Sequence, residues 1–315
     1  MLKLVVGRIA ALVPILLGIS FVAFFLVRLV PGDPVIAIAG VEADAATIAA
    51  LRAKYGLDLP LPAQFAIWFT QVIQGDFGRS IQTGRPVAAM LATAFGPTLL
   101  LAGAALIVSL LIAIPAGIAS ATRPNTSIDF GVSLGALAGL SLPSFWIGIL
   151  LILTFSIRLP ILPSSGFVAP SVDVAQALLH LVLPAVTLGT ALAAATMRMT
   201  RATMIEVLRQ DYIRTARAKG LSRAIVVWKH ALANASMPIV TLIGIQMGQM
   251  LSGVVVTETI FSWPGVGKLT VDAIFARDYP LVQGAVLCMA VLFVTINLVT
   301  DLLYSVLDPR VRLGQ

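Results

Sequence analysis

Six long apolar stretches divide the chain, and polar residues cluster between them. Each stretch has about the 20 mostly apolar residues that a helix needs to cross a bilayer. They cover residues 9–30, 97–120, 128–157, 181–200, 236–257 and 283–307. This pattern predicts an all-α, polytopic membrane protein with six transmembrane helices.

The composition supports this class, because 59% of the 315 residues are hydrophobic and only 11% are charged. Charged residues make up about a quarter of an ordinary soluble domain. One cysteine, Cys288, and two histidines that lie far apart in sequence offer almost no ligands for a metal or redox site, so none is expected. The apolar composition makes a lipid bilayer the expected environment. The basic residues have no aromatic-rich patch beside them, so nucleic acid is not an expected partner.

The basic residues concentrate on one side of the predicted membrane. Six spans put both termini on the same side, and that side receives 13 of the 21 Lys and Arg residues, which indicates the cytoplasm. The chain then divides into 1–95, a first span with an exported segment, and 96–315, five spans with a cytoplasmic loop at 201–235. Within the exported segment, residues 45–54 and 64–73 are predicted to form short helices.

The long basic loop, Arg198 to Ala235, carries eight of the 21 Lys and Arg residues. Read as one helix, its first half places four residues on a single stripe: Met204, Leu208, Tyr212 and Ala216. Gly220 is expected to end this helix because glycine reaches the left-handed conformation without steric cost, and Ser222 can cap the next helix. Two short helices that meet at a corner are therefore predicted. An ordinary positively charged loop is the alternative.

The fifth predicted span contains amide and thioether side chains at membrane depth. Polar groups there face a protein interior or a water-filled path, and flexible methionines suit a path for varied cargo. The candidate translocation-path residues are Gln246, Gln249, Met250 and Gly253. For the two amides, hydrogen bonding between helices is an equally weighted alternative.

Small residues and prolines punctuate several spans. Glycines that recur every four residues, Gly131, Gly135 and Gly139, predict close packing of helix backbones. Prolines inside or at the ends of apolar runs, Pro115, Pro143 and Pro238, are expected to bend their helices.

Residues 211–223, DYIRTARAKGLSR, resemble the coupling loop of the membrane permease subunits of bacterial ABC importers for dipeptides, oligopeptides and nickel. In the wider class this loop reads E-A-A-x-x-x-G, and here Arg214, Thr215 and Ala216 occupy the first three positions and Gly220 the last. Further stretches are similar to the same family: RLVPGDP (28–34), GRSIQTGRP (78–86), SLPSFW (141–146), ETIFSWPGVG (258–267), RDYP (277–280) and LDPR (307–310). The resemblance runs nearly end to end.

This resemblance implies a type I ABC importer permease fold in the bacterial cytoplasmic membrane, with both termini cytoplasmic. It also implies four kinds of partner: a second homologous permease subunit, two ABC ATPase subunits, an extracytoplasmic substrate-binding protein and the bilayer. The ATPase subunits would bind ATP and Mg²⁺, whereas this chain would bind no cofactor and catalyse no reaction. Expected cargo is a di- or oligopeptide, with glutathione and nickel as alternatives.

The same resemblance implies that the corner around Ala216 and Gly220 sits in a groove of an ATPase subunit. The residues expected to couple to the ATPase are Tyr212, Arg214, Thr215, Ala216, Arg217, Gly220, Leu221 and Ser222.

The sequence itself agrees with this division of labour. It has no G-x-x-x-x-G-K-[ST] phosphate loop, because Lys268 is followed by leucine and no glycine stands five residues before Gly267. A secondary transporter would be expected to bury ionisable residues near mid-membrane, and an intramembrane hydrolase would need paired catalytic groups. Neither pattern is convincing here, so both classes are less favoured.

Overall fold

The computed structural model describes residues 2–29, 35, 44–54 and 58–307, which are almost entirely helical. Within this described part, extended pairing is limited to one bridge between Arg79 and Pro86. The helices are α1 (Leu2–Leu29), α2 (Ala45–Lys54), α3 (Leu61–Ile73), α4 (Val87–Ala121), α5 (Ser127–Ser141), α6 (Ser144–Leu151), α7 (Val174–Leu208), α8 (Asp211–Ala218), α9 (Arg223–Ile225), α10 (Leu232–Ile260), α11 (Val266–Phe275) and α12 (Tyr279–Leu307). Helices α6 and α9 continue as π-helix over Ile152–Arg158 and Val226–Ala231.

Four helical stretches of the described part are long and apolar enough to cross a membrane: Val87–Ala121, Val174–Leu208, Arg223–Gly248 and Tyr279–Thr300. They overlap the second, fourth, fifth and sixth predicted spans. Helix α1 (Leu2–Leu29) overlaps the first, and its segment Leu12–Phe25 is apolar. The count of six spans and the cytoplasmic position of the termini therefore stay predictions.

The third predicted span is not one straight helix. Helices α5 and α6 meet at an angle of 105°, so residues 128–157 form a broken span or a re-entrant pair. Leu142 lies between them in an extended conformation, with φ −88° and ψ 131°. The ring of Pro143 disfavours helical geometry in the residue before it, which explains the break and confirms the bend expected at this proline.

Pro115 and Pro238 behave differently from Pro143, because each lies within a helix that continues past it, α4 and α10 respectively. A bend at these two positions stays a prediction.

One compact unit comprises residues 1–98 and 264–294. Its core is built from the start of α4, α11 and the start of α12, with Val87, Val266 and Ala285 fully buried. Asp278, buried before α12, accepts hydrogen bonds from the Ser80 hydroxyl and, at 3.1 Å, from the Ile81 amide.

The short helices predicted in the exported segment are confirmed as α2 and α3, although α3 begins earlier, beside prolines that fit a first helical turn.

The second compact unit comprises residues 99–263 and 295–315. Helix α7 is its centre, packing most extensively on α10 and also on α5 and α6. Leu101, Leu188, Val254 and Trp263 belong to one buried cluster of this unit. Residues 264–294 thus group with the N-terminal part of the chain. The predicted division at residue 95 stays a prediction.

Glycines allow two helices of the second unit to approach α7 closely. A Cβ atom on Gly189 would lie 2.7 Å from the Ala105 carbonyl oxygen and 2.9 Å from the Val108 side chain. Gly139, the last of the predicted glycine series, would place a Cβ 3.0 Å from that of Ala194. Close packing is therefore confirmed at Gly139.

The other two members of that series differ from Gly139. A Cβ on Gly131 or Gly135 would meet no atom of the described chain within 4 Å.

Gly189→Ala is expected to destabilise the second unit, because the new methyl group overlaps backbone oxygen that cannot rotate away. Overpacking of this kind costs about 1–3 kcal/mol. Thermal unfolding of the purified protein in detergent should show a lower Tm. Gly103→Ala on α4 is the matched control, since its Cβ meets nothing within 4 Å, and an equal fall in Tm for both variants would contradict the close approach at Gly189.

Candidate functional site: the basic loop between α7 and α10

The basic loop does not continue α7 as one helix. Helix α7 ends at Leu208, and Gln210 is extended with φ −69° and ψ 150°, after which α8 begins at Asp211. The predicted single stripe is therefore wrong, because the chain turns between Leu208 and Tyr212. Met204 is buried, but Tyr212 is 42% exposed.

The buried face of α8 consists of Ile213 and Ala216, which are 0% and 8% exposed. They join a cluster with Met204 of α7 and with Val226 and Val227 of the π-helical turn. This packing fixes α8 to the end of α7. The side chain of Ala216 therefore lies in the loop's own core, and its expected role in coupling to the ATPase stays a prediction.

The corner after α8 has the predicted chemistry. Gly220 adopts φ +78°, and its amide donates to the Arg217 carbonyl at 3.0 Å. Ser222 caps the following helix through a hydrogen bond from the Ile225 amide to its hydroxyl, at 3.4 Å. Gly220 as helix terminator and Ser222 as cap are confirmed.

The outer face of α8 and the corner are exposed. This face contains most of the predicted coupling residues: Tyr212, Arg214, Thr215, Arg217, Gly220, Leu221 and Ser222. Arg214 pairs with Asp211 at 3.1 Å, and both side chains are largely in solvent. Partial burial raises the pKa of the Tyr212 hydroxyl above its usual value, so this side chain is neutral at physiological pH. The exposed face of the loop therefore carries neutral and positively charged side chains, while its buried face packs against α7.

An ion pair between a buried carboxylate and a half-buried arginine holds the start of α5 against α7. Arg201 binds Asp129 through both carboxylate oxygens, with Nε to Oδ1 at 2.6 Å and Nη2 to Oδ2 at 2.9 Å. The Ser120 hydroxyl and the Asn125 amide donate to the same carboxylate. Asn125 has φ +61°, a left-handed conformation that asparagine tolerates. The carboxylate thus compensates its loss of hydration with four donors.

The basic loop touches the turn between α4 and α5 directly. Arg223, just after the corner, donates from Nη2 to the Thr122 carbonyl oxygen at 3.0 Å. Arg201 near the start of the loop and Arg223 just after its corner therefore both bind the region of this turn.

The predicted translocation-path residues lie in or beside the packing between α10 and α7. Gln246 is 9% exposed; it accepts a hydrogen bond from the Thr196 hydroxyl at 2.8 Å and donates to the Leu192 carbonyl at 3.2 Å. These are the interhelical bonds that the alternative interpretation required. Met250 is 2% exposed, and a Cβ on Gly253 would lie 3.0 Å from Leu188.

The side chain of Gln249 lies outside the described residues. A role for these four residues in a path stays a prediction.

Comparison with known proteins identifies the family. Residues 113–313 match the family described as the binding-protein-dependent transport system inner membrane component, and residues 1–102 match its N-terminal region. The chain belongs to this family. It is therefore an inner-membrane, multi-pass permease subunit of an ABC importer, a class that works with ATPase subunits and a substrate-binding protein.

Two relatives align with the permease over almost its whole length. The glutathione transport system permease protein GsiC of Salmonella paratyphi A is 44% identical over 313 residues, which is 99% of each chain. The protein of the same name in Escherichia coli K12 is 43% identical over 312 residues, again 99% of each chain.

The sequence reasoning missed the pairing of Asp129 with Arg201. Both residues were visible as charges at the ends of apolar runs, and a charge in such a place usually has a partner. They stand 72 positions apart, however, and the break at Pro143 was needed to know how α5 runs. A single sequence carries no signal that selects this pair among the available charges.

Asp129→Asn is expected to destabilise the permease by about 3 kcal/mol, because it leaves the half-buried Arg201 guanidinium without its counter-charge. The Tm of the purified protein checks this. Asp211→Asn is the control, since it breaks an exposed pair that is worth about 0–1 kcal/mol. Combining Asp129→Asn with Arg201→Gln should cost less than the sum of the two single changes; full additivity would contradict an energetic pair.

Proposed function

We propose that this permease forms half of the translocation path of an ATP-driven importer for short peptides, including glutathione, and couples to ATPase subunits through the outer face of α8 and the corner at Gly220. The observation that carries the proposal is the end-to-end identity of 43–44% with glutathione transport permeases. The motifs of the coupling loop fall within this matched length.

The packing of the loop supports mechanical coupling. Ile213 and Ala216 tie α8 to Met204 near the end of α7, so a push on α8 moves the end of α7 with it. Helix α7 in turn packs on α10 and α5. ATP-driven closure of the ATPase subunits would then shift these helices together and switch the path between inward-facing and outward-facing states.

The division of labour follows from the same proposal. ATP and Mg²⁺ are bound by the ATPase partners, a second permease completes the path, and the substrate-binding protein delivers cargo from outside. The permease itself performs no catalytic step.

Glutathione is the first cargo to test, since the two relatives are named for its transport. Di- and oligopeptides, the cargo expected from the sequence, are tested beside it. Nickel is the remaining alternative.

Thr215→Trp tests the docking surface more cleanly than a change at Gly220, where any larger residue is strained by φ +78°. Thr215 is exposed on α8 and its backbone is helical. The indole should block docking by overlap and lower substrate-stimulated ATP hydrolysis of the reconstituted complex at least about tenfold, a change of about 1.4 kcal/mol in free energy.

Thr215→Ser is the control and should keep normal stimulation, since it removes only a methyl group. Normal stimulation in Thr215→Trp would contradict contact between α8 and the ATPase.

Cargo is tested with the complete transporter in cells that lack their own uptake systems. Import of labelled glutathione and of a labelled dipeptide should depend on the permease and on ATP, whereas ⁶³Ni²⁺ uptake should not. Uptake of nickel alone would contradict peptide cargo while leaving the coupling loop untouched. Uptake driven by an ion gradient without ATP would contradict the importer mechanism itself.

A further inference from the structure

A cavity of about 550 Å³ opens at the base of the basic loop. Its walls come from the end of α4 at Ala121, the end of α7 at Leu208, and the π-helical turn at Val226 and Val227. The volume lies within the range of about 300–1,000 Å³ that is typical of small-molecule sites. It is therefore large enough for a phosphate-bearing group.

Three arginines surround this cavity: Arg209, Arg217 and Arg223. The described ion pairs of the loop region engage Arg201 and Arg214 instead, and no described carboxylate pairs with the three cavity arginines. Arg223 is held at the rim by its hydrogen bond to the Thr122 carbonyl. Three positive charges thus converge on one opening without a counter-charge from the described chain.

The floor of the cavity is apolar. Val226 and Val227 are buried at 1% and 7% exposure, and Leu208 and Ile205 complete this surface. A free inorganic anion could pair with the arginines but could not make apolar contacts with these walls. An amphiphile with a phosphate head and a hydrocarbon part matches both features.

The position along the helices favours a lipid. Helices α4 and α7 are candidate membrane spans, and the cavity lies where the two helices end, at Ala121 and Leu208. Basic pockets between spans on the cytoplasmic side attract anionic headgroups. The cytoplasmic assignment of this side rests on the function proposed above.

We propose that this cavity binds the phosphate headgroup of an anionic phospholipid from the cytoplasmic leaflet. The headgroup phosphate contacts Arg209, Arg217 and Arg223, and the glycerol and upper acyl region lie against Leu208, Val226 and Val227. Because the cavity shares Arg217 with the outer face of α8, a bound lipid would steady the loop to which the ATPase docks.

Native mass spectrometry of the whole transporter complex tests the proposal. The complex is purified in detergent and titrated with phosphatidylglycerol or with phosphatidylcholine of the same acyl chains. The wild type should retain phosphatidylglycerol at least about tenfold more tightly than phosphatidylcholine, and the triple variant Arg209→Gln, Arg217→Gln, Arg223→Gln should lose that preference.

A second triple variant is the matched control. Arg214→Gln, Lys219→Gln, Lys229→Gln removes the same charge from the same loop at residues outside the cavity wall, and it should keep the preference for phosphatidylglycerol. Equal loss in both variants would overturn the site in favour of diffuse charge attraction. Should the glutamine variant fail to assemble, Arg209→Gln alone should still weaken retention about threefold, and an unchanged value would overturn the proposal.

Two further outcomes separate other occupants. Displacement of phosphatidylglycerol by millimolar inorganic phosphate would identify a free-anion site and overturn the lipid assignment. Loss of the ATPase subunits from the cavity variant with lipid retention unchanged would assign the arginines to an acidic surface of the ATPase, which overturns this inference but leaves the proposed coupling function intact.

Discussion

The Asp129 carboxylate is the point on which the organisation of the basic loop depends. A carboxylate with only 7% of its side chain exposed is stable only when its charge and its lone pairs are satisfied. Arg201, Ser120 and the Asn125 amide meet that requirement together. The turn after α4 is thereby fixed to α7 one helical turn before Met204, the residue on which α8 packs.

The loop has a packed face and an exposed face. Ile213 and Ala216 face inward and pack α8 against Met204 of α7, while Thr215 and its neighbours face outward. A helix of eight residues has little stability alone, so this short element depends on its packing for its shape. A helix held rigid by its packing suits the proposed coupling role, because the contacts of its buried face can transmit a force applied to its exposed face.

The same contacts link the loop to the membrane-level part of the unit. Arg223 binds the turn that Asp129 organises, and the cavity at the base of the loop is walled by the ends of α4 and α7. Further along α7, Thr196 hydrogen-bonds to Gln246 of α10, and Gly189 allows α4 to pack closely. Polar bonds between helices and small residues are the means of association where lipid provides no hydrophobic drive.

The sequence alone determined the features that depend on local chemistry. Apolar runs of sufficient length indicated membrane helices, Pro143 indicated a bend, and Gly220 with Ser222 indicated the end of one short helix and the start of the next, because each signal acts through the backbone within a few residues. The coupling motif likewise stands in one continuous segment. Tertiary structure alone decided the break at Gln210, the burial of Ala216 and the pairing of Asp129 with Arg201. These outcomes depend on contacts between residues that are far apart in sequence. The spacing of residues along one segment does not determine the free energy of such contacts.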